Sequence, residues 1–141
     1  MDVDSSFSLC GSALTAQRAK MDVITSNLAN ADVTRTAEGG PYRKKNVVLS
    51  SEAVKEGFDS TLKNALKAVK VAEITEDTSP PKMVHNPSHP DADKDGYVAM
   101  PNVNIMAEMA DLITVSRSYE AMVTAFDATK NMALKALELG K

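Results

Sequence analysis

The chain has 141 residues, with 43% hydrophobic, 25% charged and only 4% aromatic residues, a formal net charge of −3, and no Trp. This is one domain's worth of residues in the ordinary soluble range. The acidic balance argues against nucleic acid as a main partner, since phosphate binding needs a basic surface. With so few aromatics, a core has to be built from Ala, Val, Leu, Ile and Met, which suits helix seams better than a large globular interior. No run approaches ~18 consecutive apolar residues, so direct membrane insertion is not expected. The N-terminus has neither a basic n-region nor a continuous apolar h-region, so a cleavable signal peptide is not expected either.

The pattern predicts a first helix, capped by Ser5 or Ser6 and running to about Asn30. Phe7, Leu14, Met21 and Leu28 fall seven apart, and Cys10, Gln17, Ile24 and Ala31 fall three after each. Together they draw a heptad seam with Gln17 as its polar interruption. The single cysteine, Cys10, excludes an internal disulfide and reads as a small buried side chain. The helix is expected to stop in Asn27-Leu28-Ala29-Asn30-Ala31-Asp32, where Asn and Asp tolerate left-handed backbone and satisfy loose backbone groups.

The character then changes. All six prolines and four of the six glycines lie between Val33 and Pro101. Tyr42 to Leu49 reads as a strand, and the basic run Arg43-Lys44-Lys45 reads as a solvated face. Glu52 to Val69 reads as a helix through Phe58, Leu62, Ala65, Leu66 and Val69, with Gly57 near its start and Asp59 or Ser60 as an internal cap. Val69, Val71 and Ile74 suggest a short strand, Thr78-Ser79-Pro80-Pro81 a turn, and Met83–His85 and Tyr97–Met100 two more strands.

From Asn102 to Leu139 there is no Gly and no Pro. One stripe runs Ile105, Met109, Leu112, Ser116, Tyr119, Val123, Phe126, Lys130, Ala133 and Leu137, and eight of these ten are apolar. Asn102 or Asn104 is the expected cap and Gly140 the expected stop. Such a helix would be roughly 55 Å long, too long for any compact core of this chain. It needs a partner along its length, and the N-terminal heptads supply one. One seam cannot offset the ordering of both helices, so both ends are expected to be loosely structured in a lone monomer and to fold fully on assembly. The expected fold is mainly α with a small β-rich middle (α+β). Long terminal helices pair as a coiled coil over 1–32 and 102–141, with a strand-containing platform over 33–101.

Two stretches could carry chemistry. Asp91, Asp93 and Asp95, followed by Gly96, resemble the first half of a calcium loop, but position twelve is Asn102 rather than a bidentate Glu, and Pro87 and Pro90 forbid an entering helix. They are weak metal candidates, better read as an acidic turn. His85 and His89 are four apart in a His-Asn-Pro-Ser-His-Pro sequence that is not helical, and a pair of loop histidines is the plainer reading. No nucleophile elbow, P-loop or dinucleotide fingerprint is present. An enzyme is not expected, nor is a cofactor.

Leu14, Gln17, Met21, Ile24, Asn27-Leu28-Ala29-Asn30 and Thr34 resemble the N-terminal signature of the bacterial flagellar axial proteins of rod and hook, and the closing helix resembles their C-terminal partner helix. Gly40-Pro41-Tyr42-Arg43-Lys44, Asn86 to Ala92, Gly96-Tyr97-Val98, Met100 to Asn104, Glu108-Met109, Ser116 to Ala121 and Leu137 to Gly140 are similar to the proximal-rod members of that family. The resemblance departs at Thr25-Ser26-Asn27, where the signature often reads Ala-Asn-Asn, at Met122, often Asn, and over Glu52 to Lys70. It implies a non-enzymatic structural subunit, exported by the flagellar type III apparatus without a cleaved signal. Such a subunit polymerises through its terminal helices into a tubular drive shaft and export channel across the periplasm. The partners implied are further copies, other rod proteins and proteins at the junction of rod and membrane ring. The helix-packing positions implied are Phe7, Leu14, Gln17, Met21, Ile24, Asn27, Leu28, Asn30, Ile105, Met109, Leu112, Tyr119, Val123, Phe126, Lys130 and Leu137. The competing reading is a free-standing helical-hairpin interaction module, tuned by calcium at Asp91–Gly96. A third is another rod subunit of the same family.

Overall fold

The computed structural model describes residues 3–53 and 67–139. Two long helices, α1 (Val3–Ala29) and α2 (Ile105–Leu139), enclose in sequence two antiparallel hairpins. The first joins β1 (Lys45–Ala53) to β2 (Lys67–Glu76), the second β3 (Lys82–His85) to β4 (Tyr97–Met100). The architecture is thus α+β. α1 is its centre, packing against α2 and against both strands of the first hairpin. That position explains its wide covered face. Ala16, Val23, Asn27 and the following Ala31 are buried, and only Ser8, Thr15, Arg18, Asp22, Thr25 and Ala29 among residues 5–29 are exposed.

The helices run antiparallel. Asn27 meets Glu108 at one end, and Phe7 meets Phe126 edge-on at the other, with ring centroids 5.0 Å apart. Twenty residues along α1 are thereby matched by eighteen along α2. By that count Val3 lies level with about residue 130, and the last nine residues of α2, about 13 Å, have no α1 beside them.

The ends of the helices differ from expectation. α1 begins at Val3, so Ser5 and Ser6 lie inside it rather than capping it. It closes without a left-handed residue: among the described residues only Gly39, Gly40 and Gly96 have positive φ. Instead the Ala31 N–H donates to the Leu28 carbonyl, and the Asn30 side chain donates to the Ser26 carbonyl at 2.8 Å. Asn104 is the cap of α2, its side-chain oxygen accepting the Ala107 N–H at 3.2 Å. Gly140 lies outside the described residues.

The helix expected over Glu52 to Val69 is corrected at both ends. Glu52 and Ala53 close β1, and Lys67 to Val69 open β2. Gly57, Phe58, Asp59, Ser60, Leu62, Ala65 and Leu66 lie outside the described residues. β1 starts three residues later than the expected Tyr42 and runs on to Ala53. In β2 the uneven spacing of Val69, Val71 and Ile74 has a cause. Val48 pairs with Glu73 but Leu49 pairs with Val71, so Ala72 is an extra, unpaired residue. Past this bulge the side-chain phase reverses. Val69, Val71 and Ile74 therefore share the face of Ser51, Leu49 and Val47.

The Thr78–Pro81 turn is held by Asp77, whose carboxylate accepts the Ser79 N–H at 2.8 Å. The Ser79 side-chain hydrogen bond, then this backbone one, hold the Asp77 carboxyl below the usual carboxylate range.

Candidate functional site

A polar hub ties the three long elements together where α1 ends and α2 begins. Asn27, 1% exposed, uses its whole hydrogen-bonding capacity. Its Nδ2 donates to the Lys45 carbonyl at 2.9 Å and to Glu108 Oε2 at 3.1 Å. Its Oδ1 accepts the Lys45 N–H at 2.9 Å and the Tyr42 hydroxyl at 2.9 Å. The amide thus pairs with both backbone groups of the first residue of β1, as another strand would. Because the Tyr42 hydroxyl gives its proton to Asn27, Ser26 Oγ, 3.3 Å away, is the donor in the remaining contact.

Glu108 is 2% exposed, and Lys44 Nζ lies 2.6 Å from its Oε1. That oxygen accepts no further hydrogen bond, so the ammonium is its whole compensation. The Lys44 side chain is 25% exposed, and its ammonium meets a carboxylate that is nearly fully buried. Lys44 is therefore not part of a solvated face as its sequence suggested. Arg43 of that run is exposed, and the exposed side chain of Lys45 places its Nζ 3.9 Å from the exposed Glu76. Removing one member of a buried pair costs roughly 3–5 kcal/mol, because the other charge stays behind unpaired. Asn27 and Asn30 are among the packing positions expected from the sequence; Tyr42, Lys44 and Glu108 enter it as residues of the family resemblance, not as packing positions. Glu108 could have been found by phase, since it continues the heptad of Val115 and Met122.

On α2 the covered positions Glu108, Leu112, Val115, Tyr119, Met122, Phe126, Thr129 and Ala133 follow steps of four and three, with Ser118 half-covered beside them. They share Leu112, Tyr119, Phe126 and Ala133 with the expected stripe. The rest of that stripe lies one residue further on. Ile105, Met109, Val123, Lys130 and Leu137 are exposed in the single chain, and Ser116 is half-covered. On α1, Phe7, Cys10, Leu14, Gln17, Met21, Ile24 and Leu28 are all half-buried, and so is Asn30 in the turn after it. α2 thus carries apolar side chains on two faces, of which α1 covers one. Ile105, Met106, Met109 and Ile113 mark the open face near its start, and Met132, Leu134 and Leu137 the unaccompanied end.

The acidic loop is spent on structure. Asp91 Oδ2 accepts the Thr34 hydroxyl at 2.8 Å, with Arg35 a loose 4.0 Å from Oδ1. Asp93 Oδ1 accepts the N–H groups of Asp95 and Tyr97. Gly96 has φ +79°, and a Cβ there would stand 3.0 Å from Pro87 Cγ. Asp91, Asp93 and Asp95 do not converge, and no group of three potential metal ligands occurs among the described residues. The histidines are used apart: His85 stacks edge-on against Tyr97, and His89 Nδ1 accepts the Asp91 N–H at 3.1 Å. No helix among the described residues is long and apolar enough to cross a membrane.

The two ends of the chain match known families. Residues 10–35 match the family "Flagella basal body rod protein", and residues 94–139 match "Flagellar basal body rod FlgEFG protein C-terminal". Over nearly the full length the chain is similar to curated relatives named flagellar basal-body rod protein FlgC. It is 50% identical to that of Bacillus subtilis, covering 96% of this chain and 97% of the relative. It is 44% identical to that of Escherichia coli O6:H1, covering 96% of each, and 39% identical to that of Borreliella burgdorferi, covering 99% and 98%. These relations do not favour a free-standing hairpin module. With most of α1 and the whole of α2 inside the matched segments, the chain belongs to the FlgC family, structural subunits of the bacterial flagellar basal-body rod.

Proposed function

We propose that this chain builds the proximal rod by polymerising through its terminal helices, which form the wall of a tubular drive shaft and export channel, while residues 33–101 form an outer layer in the periplasm. The observation that carries this reading is the second apolar face of α2. Ile105, Met106, Met109 and Ile113 stand open to water in the single chain, and so do Met132, Leu134 and Leu137. Burying each such side chain is worth ~1.5–3 kcal/mol, a strong drive toward neighbouring subunits. Ser116 and Lys130, off the α1-facing positions, face a third surface in this reading: a neighbour or the channel. The role is mechanical rather than enzymatic. It involves further copies, other rod proteins, proteins at the junction with the membrane ring and the type III export apparatus, which accepts the chain without a cleaved signal.

Met109→Glu combined with Ile113→Glu leaves the monomer folded, because both side chains are already exposed. In cells relying on this variant, swimming in soft agar is lost and basal bodies seen by electron microscopy stop short of a complete rod. Normal swimming with the double substitution overturns the assembly face.

A further inference from the structure

We propose that residues 42–45 gate the pairing of the two long helices: Glu108 and Asn27 let α1 and α2 close only once Tyr42, Lys44 and the Lys45 backbone have docked between them. Glu108 is 2% exposed in the complete fold, and closing the helices without that segment would leave its carboxylate between them without its cation and Asn27 with one hydrogen bond in place of four. A buried charge stripped of its partner opposes the packing around it. Among the described residues no other cation pairs with Glu108. Lys20 and Lys45 border the same cleft, as does the like-charged Asp111, but neither lysine makes an ion pair with Glu108.

The first hairpin sets the gate. Lys45 is at once the first residue of β1, paired with Glu76, and the residue whose backbone Asn27 clasps. The Lys44 carbonyl accepts the Asp77 N–H at 2.8 Å, immediately after β2 ends. Closing the hairpin therefore fixes the Lys44 peptide from the β2 side and aims its ammonium at Glu108. Helix pairing, a contact between the two ends of the chain, is conditional on a fold completed in its middle. Under the assembly reading above, on which only this consequence rests, the tube-forming surface is withheld until the middle of the subunit is folded.

The test reads a distance in the full-length monomer. Spin labels on Ser8→Cys and Asp127→Cys, in a Cys10→Ser background, sit at exposed positions beside Phe7 and Phe126. The parent chain gives one short, narrow distance. Lys44→Met is expected to reduce that population roughly tenfold or more. A chain without the hub, Asn27→Leu with Lys44→Met and Glu108→Met, is expected to restore it. Adding Val47→Pro, which breaks the β1–β2 ladder, should separate the helices in the parent chain and leave them paired in the chain without the hub. The gate is overturned if Lys44→Met pairs like the parent, if the triple substitution fails to restore pairing, or if Val47→Pro acts alike in both backgrounds. Because assembly does not enter this measurement, its failure leaves the motility test of the assembly face standing, and the reverse.

Discussion

The two ends of the helix pair are built by opposite rules. At the α1 C-terminus every bond of a buried amide is used, a buried carboxylate has its cation, and three elements meet. At the α1 N-terminus one aromatic pair closes the seam, and beyond it α2 runs past α1, with Leu137 71% and Met132 65% exposed. The first end is specified within the chain, since directional bonds admit one arrangement. The second is left to non-directional apolar contact, which a neighbouring surface can complete. A monomer built this way has one defined joint and one unfinished face.

The largest effect tests the specified end. Asn27→Ala orphans Glu108 Oε2 and both Lys45 backbone groups and leaves the Tyr42 hydroxyl with Ser26 alone, and is expected to cost about 3–4 kcal/mol in urea unfolding. A loss below 1 kcal/mol, within the range of an ordinary surface change, would break the contrast. A smaller loss, about 2 kcal/mol, is expected for Phe126→Ala, which removes the half-buried aromatic pair but leaves no polar group stranded. Should it exceed the Asn27→Ala loss, the helix pair is anchored at the aromatic end instead. Leu137→Ser should change monomer stability by no more than about 0.5 kcal/mol, since the side chain already stands mostly in water. A clear drop in Tm for that variant would mean that the overhang is held within the chain.

Much of this division was legible before any coordinates, and the gaps have a common cause. The helices announce themselves by long runs of seam spacing, α2 without Gly or Pro and α1 with Gly11 alone, and β4 by Tyr97–Met100 between turn residues. The facing of α2 was drawn one residue off because Glu108 is acidic and Met109 is not. Only Lys44, sixty-four residues earlier, makes position 108 an inside position. Local pattern cannot carry that information, nor could it show that Lys44 differs from Arg43 beside it. A helix with Met106, Met109 and Ile113 on one side and Leu112 and Val115 on another offers more than one apolar stripe to choose from. The same ambiguity made Glu52 to Val69 read as helical, where Val69 belongs to a strand.

Ala72 has a consequence for how the first hairpin can go wrong. Without a bulge, two strands are a pair of rulers with equal divisions, and sliding by two residues restores the match of inward and outward side chains. One extra division makes them a vernier. Val47 opposite Ile74 and Leu49 opposite Val71 lie on one face only while the extra residue sits between them. Any slip that carries the mismatch elsewhere throws one half of the ladder out of phase with the other. A single alanine thus makes the alignment unique, and with it the point at which the Lys44 ammonium arrives.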